Sequence, residues 1–205
     1  MPLVDPVIER VLAEFERRAE EEQRRTNFAA PGINLDELLL SVGREAGMLL
    51  YLLATGAQCR RILELGTSYG YSTVWLAAAA RASGGKVLSL ELCDFKIEHA
   101  RQALTRAGLS TRVEFHQGDC LETLKTLPGP FDFVLLDVWK DLYLPCFELL
   151  HPKLAPGAIV AADNMLLPEV VRPQAEAYRR RVREAGDLDS VLLDVGNGIE
   201  ISRKR

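Results

Sequence analysis

Two strand-like runs end in residues that could hold a cation. The run 131–136 leads into Asp137-Val138-Trp139-Lys140-Asp141, and the run 158–162 leads into Asp163-Asn164. If the two runs are neighbouring parallel strands, they lie about 5 Å apart, so Asp137, Asp163 and Asn164 converge. Two carboxylates and one amide oxygen form a hard, oxygen-only set that suits Mg2+ and disfavours zinc; Mn2+ and Ca2+ accept the same donors. Such a set leaves about three positions of an octahedron for other ligands. Lys140 sits in the turn just beyond. Alone, either aspartate reads as a strand-end cap and Lys140 as a solvated charge; the combination reads as a site.

A second constellation lies upstream in Glu64-Leu65-Gly66-Thr67-Ser68-Tyr69-Gly70-Tyr71-Ser72. It reads as strand, glycine turn, helix. In an open α/β sheet this turn is at the carboxyl end of a strand, where ligands bind. A nicotinamide fingerprint is absent, because three residues separate Gly66 from Gly70. Gly66-Thr67-Ser68-Tyr69-Gly70 formally fits a hydrolase's nucleophile turn. It follows the first strand of the core, however, and none of His99, His116 or His151 is placed as a late general base. The remaining reading is a nucleoside site. Glu64 precedes the turn, Glu91 ends the next strand and is placed to accept ribose hydroxyls, and Gly118-Asp119-Cys120 follows the third strand towards an adenine edge.

The elements that must position these residues follow from the pattern. Short apolar runs at 62–65, 86–91, 112–116, 131–137 and 158–163 alternate with helical stretches at 72–82, 95–107, 120–127 and 143–150. Continuous apolar strands separated by helices indicate a parallel sheet covered on both faces. A helix at 173–185 precedes two strands, 190–195 and 198–203, joined around Gly196-Asn197-Gly198, a hairpin signal. At the other end, Asp5 caps and Pro6 opens an amphipathic helix that stops before Pro31-Gly32. Its charged back carries Glu14/Arg18, Glu20/Arg24 and Glu21/Arg25 at i,i+4 spacing. A second helix is predicted over 35–55, with a break of phase near Gly43 and Gly47.

From residue 62 to 203 the chain resembles the metal-dependent O-methyltransferases of the catechol and caffeoyl-CoA type. The 64–72 segment resembles that family's first cofactor motif, and Asp137-Val138-Trp139-Lys140-Asp141-Leu142-Tyr143-Leu144-Pro145 is especially similar to the animal catechol enzymes. Asp163-Asn164 resembles the remaining metal pair, and Asp194-Val195-Gly196-Asn197-Gly198-Ile199-Glu200 the final hairpin of bacterial members.

The resemblance implies an α/β, Rossmann-like methyltransferase fold: a seven-stranded, mostly parallel sheet with an antiparallel C-terminal hairpin strand and helices on both faces. It implies one domain over 1–205, in which N-terminal helices (1–57) pack on and lid the cofactor site of a 58–205 core. S-adenosylmethionine is the implied cofactor, with Val42, Glu64, Gly66, Ser68, Tyr71, Ser72, Glu91, Gly118, Asp119, Cys120, Asp137 and Trp139 as its neighbours. Trp139 borders the adenine, and Val42 and Gly47 back the methionine part. Asp137, Asp163 and Asn164 are the implied Mg2+ ligands and Lys140 the base. Two adjacent phenolic oxygens would complete the cation's shell, so the expected substrate is a small catechol-like aromatic.

The sequence departs from the family at Val138, where the catechol enzymes usually carry His. Residues 1–40 align poorly with the family's substrate-gating segments, and no late acid is obvious as a holder of the second hydroxyl. A rival on the same fold is a methyltransferase acting on 5-hydroxyuridine in tRNA, for which Arg172, Arg179, Arg180, Arg181 and Arg183 would be the footprint. A solvated helix face explains them equally well. The net charge of −4 also argues against a surface built to grip phosphate backbones. A cofactor-binding protein without catalysis would have no use for Lys140 and the cation set.

The four cysteines lack the paired spacing of a zinc site or a disulfide framework and read as free thiols. Neither a signal-like leader nor a membrane-length apolar run appears. A soluble cytoplasmic protein is therefore expected, with a homodimer suggested by the amphipathic first helix and by the family.

Overall fold

The computed structural model describes residues 5–26 and 33–205. Helix α1 (Pro6–Arg25) starts as its sequence predicts, with the Asp5 carboxylate accepting from the Val7 and Ile8 amides. Its predicted boundary at Pro31-Gly32 lies outside the described residues. The apolar face of Ile8, Val11, Leu12 and Phe15 is buried within the chain against helices α3 (Tyr71–Ser83) and α4 (Asp94–Arg106). The charged back is only partly solvated. Arg24 pairs with Glu20 at 2.9 Å as expected, but Arg18 turns to Glu22 and Glu14 reaches Arg106 at 3.2 Å.

The helix predicted over 35–55 is not continuous. A single 3-10 turn at Leu35–Glu37 is followed by extended chain, and helix α2 (Arg44–Gly56) begins only after Gly43, whose φ of 81° no helix can contain. Gly47, inside α2, has another reason to be glycine: a Cβ there would stand 2.3 Å from the Trp75 indole nitrogen of α3.

The remaining elements are strand β1 (Arg61–Leu65), β2 (Lys86–Glu91), β3 (Val113–Gln117), helix α5 (Cys120–Thr126), β4 (Phe131–Leu136), helix α6 (Tyr143–Leu150), β5 (Leu154–Ala162), helix α7 (Arg172–Glu184), β6 (Leu188–Leu193) and β7 (Ile199–Lys204). They form one seven-stranded sheet in the order β3-β2-β1-β4-β5-β7-β6. The strands β1 to β5 pair in parallel, and β7 runs antiparallel to both β5 and β6. The hairpin is looser than an Asn-Gly turn. Residues 194–198 lie between the strands, and positive φ falls on Gly196 and Gly198 rather than on Asn197.

Alternation along the strands divides the interior into two cores. Ile62, Phe133, Leu135, Ile159 and Ala161 face α1 to α4, whereas Leu63, Leu65, Val134, Leu136, Val160 and Ala162 face α5 to α7. Buried on both faces, these strands read as continuous apolar runs. Their carboxyl ends share one rim, the edge on which both constellations sit.

Candidate active site

Strands β4 and β5 position the expected cation ligands. Leu136 is registered against Ala162, and the Asp163 amide donates to the Leu136 carbonyl at 3.1 Å, so Asp137 and Asp163 leave adjacent strands side by side. Asp163 is 1% exposed, and its Oδ1 has no hydrogen-bond partner among the described residues. An unmet buried acceptor of this kind costs about 1–3 kcal/mol. Burial, then the neighbouring Asp137 carboxylate, push the Asp163 carboxyl up to about 8 against the opposing pull of Lys140. Asn164 follows with φ 54°, a left-handed conformation that a non-glycine residue seldom adopts. It is held there because Met165 and Leu166 donate to the Gly198 and Asn197 carbonyls of the hairpin loop.

Among the described residues no three His, Cys, Asp or Glu side chains gather as a metal-holding group. A cation at this rim would therefore rest on two carboxylates and the Asn164 amide oxygen. The orphaned Oδ1 and the crowded acids suit a hard cation.

Lys140 lies over this pair, its Nζ 3.7 Å from Asp137 Oδ1. The Nζ donates to the Val138 carbonyl at 3.1 Å and to the Tyr143 hydroxyl at 2.5 Å. Tyr143, fully buried at the start of α6, in turn directs its proton at the Leu136 carbonyl (2.8 Å), with the Asp163 carbonyl at 3.1 Å. Burial lowers the Lys140 ammonium below the ordinary lysine range, although both aspartates oppose it.

The glycine turn is fastened to the same rim. A Cβ on Gly66 would stand 2.0 Å from the Asp137 carbonyl oxygen, so only glycine lets β1 and β4 close there. The Gly66 and Thr67 amides donate to the Leu90 carbonyl, and Ser68, at φ 48°, donates its amide to Glu91 Oε2 at 2.8 Å. Glu91 Oε1 accepts from the Leu92 and Cys93 amides, and its carbonyl accepts from Gly118. Glu91 thus joins the ends of β1, β2 and β3, with Oε1 filled by two amides and one acceptor position left on Oε2. Asp119 uses Oδ1 to cap α5 through Leu121 and Glu122. Cys120 opens that helix, and Trp139 stands 55% exposed beyond Asp137.

Several expected cofactor neighbours commit their side chains to contacts within the protein. Glu64 is fully buried beneath the turn and accepts from the hydroxyls of Ser72, Thr73 and Ser89 at 2.5–2.7 Å. Burial pushes its carboxyl up to about 7 despite those three donors. It braces the turn from below instead of facing the rim, and Ser72 spends its hydroxyl on it. Tyr71 points away towards α1, its hydroxyl donating to Glu16 at 2.8 Å. That leaves its backbone as the group nearest the turn. Val42 is buried, with its carbonyl against the Gly196 turn.

Other contacts escaped the sequence. The Tyr69 hydroxyl lies 3.1 Å from the Glu37 carbonyl, with the Arg18 guanidinium stacked 3.9 Å over its ring. Lys96 pairs with Asp36 at 2.9 Å. The chain before α2 is thereby fastened to the glycine turn, a long-range contact with no local signature. Tyr143 lies inside the 137–145 motif, where sequence alone assigns it no role. Of the five arginines considered for RNA, Arg179 pairs with Glu200 at 2.5 Å and Arg181 with Glu148 at 2.6 Å. Glu200, a late acid, is thus committed to Arg179.

A family model described as a methyltransferase domain matches residues 63–165. The catechol O-methyltransferase of Mycobacterium tuberculosis is 38% identical over 163 residues, covering 75% of this chain and 74% of that one. The chain belongs to the S-adenosylmethionine-dependent O-methyltransferases.

Solved O-methyltransferases share the whole architecture. TomG from Streptomyces achromogenes, involved in tomaymycin synthesis and solved in complex with SAM, is 28% identical with a TM-score of 0.77, covering 98% of this methyltransferase and 92% of TomG. The Bacillus cereus O-methyltransferase in complex with SAH is 25% identical with a TM-score of 0.73, covering 93% and 100%. Among the described residues of this methyltransferase, no helix is long and apolar enough to cross a membrane.

Proposed function

We propose that this O-methyltransferase methylates one hydroxyl of a small catechol-like substrate held against a divalent cation, with Mg2+ the best chemical match. The observation that carries the reading is the buried, unpartnered Asp163 Oδ1 beside Asp137 and Asn164, with the Lys140 Nζ across from them. The name of the Mycobacterium tuberculosis relative supports the substrate class.

Asp137, Asp163 and Asn164 would hold the cation. Bound there, such a cation would supply Lewis-acid charge that favours loss of a proton from a substrate hydroxyl. That help matters because a free phenol titrates near 10. S-adenosylmethionine supplies an electrophilic methyl group on a sulfonium. Lys140 takes the hydroxyl proton at Nζ, a role that needs neutral amine and that burial favours. Tyr143 fixes where that nitrogen stands.

Glu91 is proposed to accept the ribose hydroxyls. Gly118, Asp119, Cys120 and Trp139 border the adenine, and the backbone of Gly66, Ser68, Tyr71 and Ser72 lines the methionine part with Val42 and Asp137. The N-terminal segment lids this cofactor, a role supported by the ties from Asp36 and Glu37 to Lys96 and Tyr69. A homodimer stays part of the reading on the family resemblance alone, because the apolar face of α1 is covered within the chain.

The test is a substrate panel. Protein, S-adenosylmethionine and Mg2+ are incubated separately with catechols, hydroxycinnamoyl thioesters and hypomodified tRNA, and products are read by mass. Methylated catechol, with the RNA unchanged, is the expected result. Methyl gain on RNA alone would reject the substrate assignment.

A further inference from the structure

The cysteines looked unrelated in sequence, yet Cys120 and Cys146 meet. Their sulfurs are 3.7 Å apart, Cys120 opening α5 and Cys146 lying inside α6, and these two helices pack on each other. A disulfide needs about 2.05 Å, so the sulfurs have roughly 1.7 Å to close. Both thiols are reduced in the structure, and they differ in access: Cys146 is fully buried, whereas Cys120 is 9% exposed in the turn that leaves β3.

We infer that Cys120 and Cys146 are a reversible dithiol–disulfide pair through which peroxide oxidation weakens cofactor binding. The inference rests on the reading that Gly118, Asp119 and Cys120 border the adenine. The chemistry balances with a peroxide as oxidant. The Cys120 thiolate attacks a peroxide oxygen, giving a sulfenic acid and, from hydrogen peroxide, water. The Cys146 sulfur then displaces that hydroxyl as a second water, and the sulfur–sulfur bond forms. Two thiols lose two protons and two electrons, which a small dithiol returns. Roles divide in the same sense, since the contact with Cys120 and burial raise the thiol of Cys146, the less accessible of the two.

The consequence is local. Closing the bond draws the first residue of α5 towards α6, and the preceding residues are the ones that matter. Asp119 caps α5 through two amides, and the Gly118 amide is held by the Glu91 carbonyl at 3.0 Å. Moving Cys120 therefore disturbs the adenine rim and Glu91 together. On its other side the link pulls on α6, which begins with the Tyr143 that holds Lys140.

The test uses the full chain. Affinity for S-adenosylhomocysteine is first measured on reduced protein, then after limited hydrogen peroxide, then after a dithiol reductant. Peptide mapping runs alongside, and Cys146→Ala is the control. The expected result is a Cys120–Cys146 cross-link with affinity falling roughly tenfold, as loss of one good hydrogen bond would give. Affinity returns on reduction, and Cys146→Ala shows neither the cross-link nor the reversible loss. Absence of the cross-link, a cross-link with unchanged affinity, or the same reversible loss in Cys146→Ala overturns the inference. Reduced protein that binds no S-adenosylhomocysteine would instead sink the cofactor reading on which it rests.

Discussion

The Tyr143 hydroxyl accepts a hydrogen bond from the Lys140 ammonium at 2.5 Å and donates its own to the Leu136 carbonyl, on the strand that leads into Asp137. One phenol therefore fixes the proposed base relative to the proposed cation set. Tyr143→Phe should lower kcat roughly 10- to 100-fold, the cost of an ångström-scale misplacement, while S-adenosylhomocysteine affinity holds. Lys140→Ala should cost about 10²- to 10⁴-fold in kcat. Steady-state kinetics beside binding calorimetry separates these effects, and full activity in Lys140→Ala would remove the base assignment.

Cation binding should release protons. Burial beside Asp137 keeps the Asp163 carboxyl protonated up to about 8, and a metal ligand must be ionised. Mg2+ affinity should therefore weaken as pH falls below 8. At pH 7, titrations in buffers of different ionisation enthalpy should report net proton release. Binding without proton release would contradict the placement of the cation on Asp163.

Glu64 makes stability depend on pH. Its folded carboxyl is raised to about 7 from an ordinary value of 4.5. The folded state thus holds a proton that the unfolded chain has lost, and this contribution is complete below pH 4.5 and disappears as pH rises through 7. The raised value corresponds to roughly 3 kcal/mol between those limits. Glu64→Gln should flatten that slope relative to wild type in denaturant melts at pH 5 and 8. Parallel slopes in the two proteins would show that Glu64 does not titrate in this range.

Arg179 is predicted to serve stability. Glu200 is 1% exposed and takes its charge partner from Arg179 and a hydroxyl from Ser190. Removing one partner of such a pair costs about 3–5 kcal/mol. Arg179→Met should thus lower the unfolding midpoint sharply with KM for the acceptor unchanged. Equal stability would mean that the pair contributes nothing.

Much of this architecture was legible because its signals are local. Apolar runs ending in Asp137, Asp163 and Glu91 marked one rim, and Asp5-Pro6 marked the start of α1. What sequence could not show came from contacts between distant residues. The place of Glu64 before the turn is legible, but not which way its side chain points. Its partners Ser72, Thr73 and Ser89 come from two other elements. Residues 35–55 carried helical periodicity, and the outcome turned on one positive φ at Gly43. Cys120 and Cys146, separated by a strand and two turns, gave no spacing signal at all.

Methyl transfer is proposed to depend on a cation held by Asp137, Asp163 and Asn164. That dependence is tested most directly by the catechol methylation rate of chelator-stripped protein, followed by Mg2+ titration. Stripping should lower the rate by about 10²-fold or more, the scale on which enzymes depend on preorganised charge, and Mg2+ should restore it. A stripped protein that methylates catechol at the undiminished rate would contradict that dependence.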